Sequence, residues 1–135
     1  MFEITSIAAA DTFTLALLKP NGQPLLGEGD APLSVTIYGP GSKPYQKARA
    51  ARNARLTTLL KPKHKMSITE AEQYQENAEF MAECTVSFNG WGYHGEADTK
   101  AMVAAYSDHA LDFIIDQISK AIVDWENFTS SSSKS

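Results

Sequence analysis

Residues 108–128 read DHALDFIIDQISKAIVDWENF, and within them Leu111, Ile114, Ile115, Ile118, Ile122 and Trp125 recur at steps of three and four, with Phe128 continuing the series. That spacing is one apolar face of an α-helix over about four turns, and it predicts a long amphipathic helix on which the rest of the chain packs. Ser107 or Asp108 caps it, and Asp108, Asp112 and Asp116 form an acidic row at spacing four. The first of these favour the positive end of the helix dipole. The expected core comprises Leu111, Ile114, Ile115, Ile118, Ile122, Trp125 and Phe128, with Trp91 brought in from a loop.

Upstream of this helix, the residues from Thr99 to Ala105 predict a shorter one. Before it, Asn89-Gly90-Trp91-Gly92-Tyr93-His94-Gly95 reads as a loop, because its glycines break a helix and its aromatics give the loop something to bury. Ser67-Ile68-Thr69-Glu70-Ala71-Glu72 contains two overlapping capping-box patterns, Ser67 with Glu70 and Thr69 with Glu72. They open a helix running to about Cys84, with Phe80, Cys84 and Phe88 along one stripe.

A further helix is expected from Ser42, its N-cap, to Leu60, with Pro62 ending it. Tyr45, Arg49, Arg52, Leu56 and Leu59 follow its seam, so two arginines stand where apolar residues belong and call for a carboxylate or a route to water. The first third is β in character: Thr12 to Leu17 and Leu33 to Tyr38 alternate with period two, and Lys19-Pro20-Asn21-Gly22-Gln23-Pro24 is a turn signal. Leu25 and Leu26 offer an added short strand. The reading is an α+β fold: an N-terminal β-hairpin or small antiparallel sheet, then three to four α-helices, in a single domain over residues 1–128. Residues 129–135, five of them serine and none apolar, read as a disordered tail.

The composition is that of an ordinary globular protein, with 43% hydrophobic and 21% charged residues over 135 positions. Its net charge of −4 conceals a division. Residues 43–65 hold eight cations and no acid, whereas residues 66–135 hold twelve acids against Lys100, Lys120 and Lys134. The asymmetry predicts contact between the two regions, between copies of the chain, or with a charged partner, with Arg49, Arg52, Arg55, Asp108, Asp112 and Asp116 as candidate partner-binding residues. One cysteine excludes an internal disulfide and fits a reducing compartment. The N-terminus lacks the basic and apolar regions of a signal peptide, and no run of about 18 apolar residues predicts a membrane span.

Catalytic chemistry finds little purchase in these residues. His64, His94 and His109 are scattered, without a metal-binding spacing, and Cys84 beside Met81 and Phe88 reads as a small buried hydrophobe. Gly39-Pro40-Gly41-Ser42-Lys43 lacks the phosphate-loop pattern, and Pro40 removes an N–H that a phosphate cradle needs. The basic segment has the charge for non-specific nucleic-acid binding, but the acidic remainder opposes it and Tyr45 alone is placed for base stacking. No enzyme, cofactor or metal is expected.

The pattern resembles the tail assembly chaperones of long-tailed bacteriophages. Leu15 to Leu25 followed by Val35-Thr36-Ile37-Tyr38-Gly39-Pro40-Gly41-Ser42 is similar to that family's β start and Ser-capped basic helix. Gly90-Trp91, Tyr93-His94-Gly95, Tyr106-Ser107, Gln117-Ile118, Ala121-Ile122, Asp124 and Asn127-Phe128 are similar to its glycine-tryptophan loop and closing Asn-Phe helix. The stretch between Trp91 and Tyr106 departs from the family in lacking its proline and cysteine. The resemblance spans about residues 13–129 and implies a non-enzymatic homo-oligomer of the host bacterial cytoplasm. Such a protein binds the tape measure protein, recruits tail tube subunits and is not retained in the mature virion. Two alternatives stand beside it: a structural virion protein of the tail tube or minor tail, and a small nucleic-acid-binding regulator.

Overall fold

The alternating residues of the first third form two strands of a three-stranded antiparallel sheet, β1 (Thr12–Ala16) and β2 (Ser34–Tyr38). The computed structural model describes residues 1–61 and 67–129. The strands pair with Thr14 opposite Thr36, and the connection between them folds back on itself. In it Leu25 accepts from Leu33 and donates to Leu17, while Leu17 donates to Leu33, so Leu25 is tied in by isolated pairing and not by a full strand. Gly22, with φ +88°, makes the turn that Asn21-Gly22 predicted.

Ser42 opens α1 (Lys43–Leu60). Its hydroxyl, buried, accepts the Tyr45 N–H and donates to the Gly39 carbonyl, which fixes the strand-to-helix corner. Thr69 and Glu72 form the capping box of α2 (Glu70–Glu83), and the alternative start at Ser67 is not used. α1 packs on α2, and α2 on α3 (Thr99–Tyr106), which Asp98 caps.

Three features depart from the sequence expectation. The stripe through Phe88 is not helical: the chain leaves α2 at Cys84 and becomes β3 (Thr85–Asn89), which pairs with β2 and makes it the central strand. The long closing helix is broken. A 3-10 turn over His109–Leu111 precedes α4 (Asp112–Ile122), which stops at Val123, and Asp124 then accepts the Glu126 N–H to open the single turn α5 (Glu126–Thr129). Third, that break shifts the phase of the apolar stripe. Phe128 turns inward and is 3% exposed, whereas Trp125, expected in the core, is 52% exposed. Thr129, assigned to the tail, belongs to α5, and residues 130–135 lie outside the described residues, as do Pro62 and the cations at positions 63 and 65.

The core lies between the inner face of the sheet and the helices. Val35 and Ile37 of β2 and Phe88 of β3 meet Phe80 and Met81 of α2, Met102 and Tyr106 of α3, and Ile114, Ile115, Ile118 and Ile122 of α4. Leu111 and Trp91 are half-buried at its margin. Burial of this set is the main stabilising term, on the order of 25 cal/mol per Å² of apolar surface removed from water. The outer face of the sheet is polar: Thr14 bonds Thr36 across the strands at 2.9 Å, and the Asn89 amide donates to both Thr36 and Ser34.

Candidate interaction surface

The charged residues expected to bind a partner do not meet across the molecule. On α1 the face turned to α2 runs through Tyr45, Ala48, Arg52, Arg55 and Leu59, so Arg49 falls one residue off that seam and is exposed, against the expectation. Arg55 is the residue that finds carboxylates, all on α2. Its Nε lies 2.5 Å from Glu76 Oε1 and 3.7 Å from Glu79 Oε1, and its Nη1 lies 3.3 Å from Glu83 Oε2. Partial burial acts to lower the Arg55 pKa, and the hydrogen bonds to Glu76 and Glu83 outweigh it and hold it above its ordinary value. Glu76 is itself buried, so this pair ties α1 to α2 at depth.

Arg52 needs no carboxylate. Its guanidinium carbon stands 5.1 Å from the centroid of the Phe80 ring, and Tyr45 meets the same ring edge-on at 5.6 Å. Arg49 has no carboxylate partner among the described residues.

The acidic row is engaged locally and not with the basic helix of its own chain. Asp108 accepts the Ala110 N–H at 2.9 Å and the Tyr93 hydroxyl at 2.8 Å, and these two bonds hold its carboxyl below the usual carboxylate range. Asp112 accepts the Tyr74 hydroxyl at 2.6 Å and lies 3.1 Å from His109 Nδ1, which lowers its pKa likewise. Desolvation and that same bond push the Tyr74 phenol up, and His109 stacks on the Tyr74 ring with centroids 3.9 Å apart. Asp116 pairs with Lys120 one turn on, at 3.4 Å. The row therefore fastens the start of α4 to α2 and to the loop before α3.

That loop is ordered by specific contacts. Trp91 stacks on Phe88 at 3.8 Å and donates its indole N–H to the Ser34 carbonyl at 2.8 Å. Tyr93 and Glu96 exchange backbone hydrogen bonds across His94 (φ +49°) and Gly95 (φ +81°), the two positive-φ positions of a type I′ turn. Cys84 is fully buried, and desolvation pushes its thiol up to about 12, a setting for packing and not for nucleophilic attack at neutral pH. Among the described residues no group of three or more His, Cys, Asp or Glu is placed to hold a metal ion, and no helix is long and apolar enough to cross a membrane.

The feature that the sequence reading missed is apolar and exposed. Phe2, Ile4 and Ile7, in an N-terminal arm that includes a 3-10 turn over Ile4–Ile7, carry side chains more than half exposed. The arm joins the body at Ala9 and Ala10, where the Ala10 N–H donates to the Phe128 carbonyl at 2.7 Å. Ala9 and the exposed Trp125 ring both approach Gly41, so arm and ring flank one corner of the molecule. The alternation of Phe2 and Ile4 was the available signal.

Comparison of the chain with protein-family models, with curated proteins and with solved structures finds no match.

Proposed function

We propose that this chain is a phage tail assembly chaperone, a non-enzymatic protein that binds the tape measure protein in the host bacterial cytoplasm and recruits tail tube subunits around it. The observation that carries the reading is the exposure of Phe2, Ile4 and Ile7 along the N-terminal arm and of Trp125 beside the point where that arm joins the body at Ala9, because exposed apolar side chains on a folded body mark a binding surface. A largely helical, assembly-prone partner presents apolar stripes that such a surface covers. The glycine-tryptophan loop and closing Asn-Phe segment add the residue pattern of the family. No matched relative contributes to this reading.

The charged surfaces fit a homo-oligomer. Arg49, unpaired with acid among the described residues, is available to the Asp108, Asp112 and Asp116 row of another copy, in a contact that salt weakens. Co-expression with a phage tape measure protein, followed by capture on a tag, tests the function. The chain captures it, and Ile7→Ser with Trp125→Ser reduces capture at least about tenfold, a loss of about 1.4 kcal/mol. Mass spectrometry of purified particles then finds the chain missing. Its presence there in amounts matching tail subunits replaces this reading with a structural virion protein.

A further inference from the structure

Among the described residues, strand β1 has β2 on one side and no strand on the other. The direction of its main-chain groups is set by bonds at its two ends. Gly39 donates to the Asp11 carbonyl and Leu17 donates to Leu33, so odd-numbered residues face β2. By the alternation of an antiparallel ladder, Thr12, Thr14 and Ala16 direct their N–H and C=O groups away from it.

The same outward side is capped just beyond both ends of the strand. The Ala10 N–H is bonded to the Phe128 carbonyl. The Leu18 N–H and C=O are both taken by the Gln117 side-chain amide, at 2.9 and 2.8 Å. Between these caps Thr12, Thr14 and Ala16 are three successive rungs whose outward groups have no partner among the described residues. A cleft of about 440 Å³, lined in part by Ala10, Thr12, Thr14 and Thr129, runs beside them. β1, Thr-Phe-Thr-Leu-Ala, has no charge or proline and pairs with β2 in regular register, so it lacks the usual devices that keep an edge from pairing.

We infer that the free edge of β1 is a self-association site at which a second copy of this chain adds its own β1 antiparallel, about a two-fold axis through Thr14. Self-complementarity identifies the occupant. Centred on Thr14, the pairing sets Thr14 against Thr14 and Thr12 against Ala16, and it uses all three outward rungs of both strands. On the outer face the opposed residues are hydroxyl-bearing or small. On the inner face Phe13 stands beside Leu15 of the second copy, and both are half-buried apolar side chains whose remaining surface is covered by the contact. The two sheets become one, in an isologous interface that closes at two copies. This pairing is independent of the chaperone reading and is read on the isolated chain.

The test uses the full chain in light scattering coupled to gel filtration, with three variants. Thr14→Pro removes an N–H that points away from β2 together with the side-chain bond to Thr36, so the main-chain ladder to β2 stays intact while the new rung is lost. The native chain runs at about twice the monomer mass and Thr14→Pro at the monomer mass, with an unchanged circular dichroism spectrum. Thr14→Cys sets two sulfurs across the axis, where opposed Cα atoms lie about 5.5 Å apart, within disulfide range, and mild oxidation gives a covalent dimer. Val86→Cys, also exposed but on β3, does not cross-link. The inference is overturned by a monomeric native chain, by cross-linking of Val86→Cys as fast as Thr14→Cys, or by a dimer that Arg49→Glu dissociates while Thr14→Cys fails to cross-link. Should Thr14→Pro unfold, the cysteine pair decides.

Discussion

The ring of Phe128 occupies the space in which Gly39 would carry a β-carbon: a Cβ built on Gly39 falls 2.5 Å from Phe128 Cδ1 and 2.6 Å from Cγ. This contact seats α5 on the end of β2, with Phe13 of β1 meeting the same ring edge-on at 5.9 Å. Gly39→Ala therefore overpacks a buried site and destabilises the fold by about 1–3 kcal/mol. Urea unfolding measures it, and in a Phe128→Leu background the penalty shrinks.

Trp125 and Phe128 differ in burial, and their truncation separates them. Phe128→Ala costs about 3–5 kcal/mol, as expected for an aromatic in the core. Trp125→Ala, on a half-exposed ring, costs less than about 1 kcal/mol. Iodide quenches Trp125 fluorescence strongly and Trp91 weakly, since Trp91 is stacked on Phe88; single-tryptophan variants give the assignment.

Arg55→Ala leaves Glu76 buried without its guanidinium. The expected loss is about 1–3 kcal/mol, because an unsatisfied buried acceptor forfeits its solvation as well as its bond. Adding Glu76→Gln recovers part of the loss, and Arg55→Lys is intermediate, having no planar fork to span Glu76 and Glu83. A double-mutant cycle in urea isolates the coupling. Reversal of sign, with Arg55→Ala more stable than native, contradicts the assignment.

Asp108 and Asp112 have folded-state pKa values held below the unfolded ones, so the linkage has a definite sign. Their contribution to stability is present above the unfolded carboxylate pKa of about 4 and is lost as pH falls through the depressed folded values. Removing the Tyr74 hydroxyl with Tyr74→Phe raises the Asp112 pKa toward the ordinary range and leaves Asp108 where it was. Carboxyl-carbon NMR titration reads both.

Burial makes Cys84 a probe of global opening. At pH 8 iodoacetamide leaves it unmodified in the native chain and alkylates it in urea, because the folded thiol is both covered and pushed up to about 12. Rapid native-state labelling would contradict its placement.

The local signals were legible where they were redundant. Ser42 as N-cap, Thr69 with Glu72 as capping box, the turn at Asn21-Gly22 and the buried stripe from Ile114 to Ile122 each rest on residues within a few positions of one another. β3 was hidden because Thr85–Asn89 succeeds α2 without a glycine or proline, and its Phe88 keeps helical spacing with Phe80 and Cys84. The β-branched pair Thr85-Val86 was the weaker signal that proved right. Among candidate binding residues, sequence singled out charges, whereas the exposed arm of Phe2, Ile4 and Ile7 reads locally like any apolar segment.

By itself the sequence determined the α+β class, the capped starts of α1 and α2, and an α4 whose isoleucines face the core. These depend on periodicity and on side chains that bond their own backbone, interactions closed within a few residues. Only the tertiary structure decided that β2 is central, that Arg55 and not Arg49 faces acid, and that Trp125 turns outward while Phe128 turns in. Those outcomes depend on phase: the break at Val123 and Asp124 rotates α5 relative to α4, and the single-residue step from Ala48 to Arg49 moves a side chain about 100° around a helix, from the packed face to water.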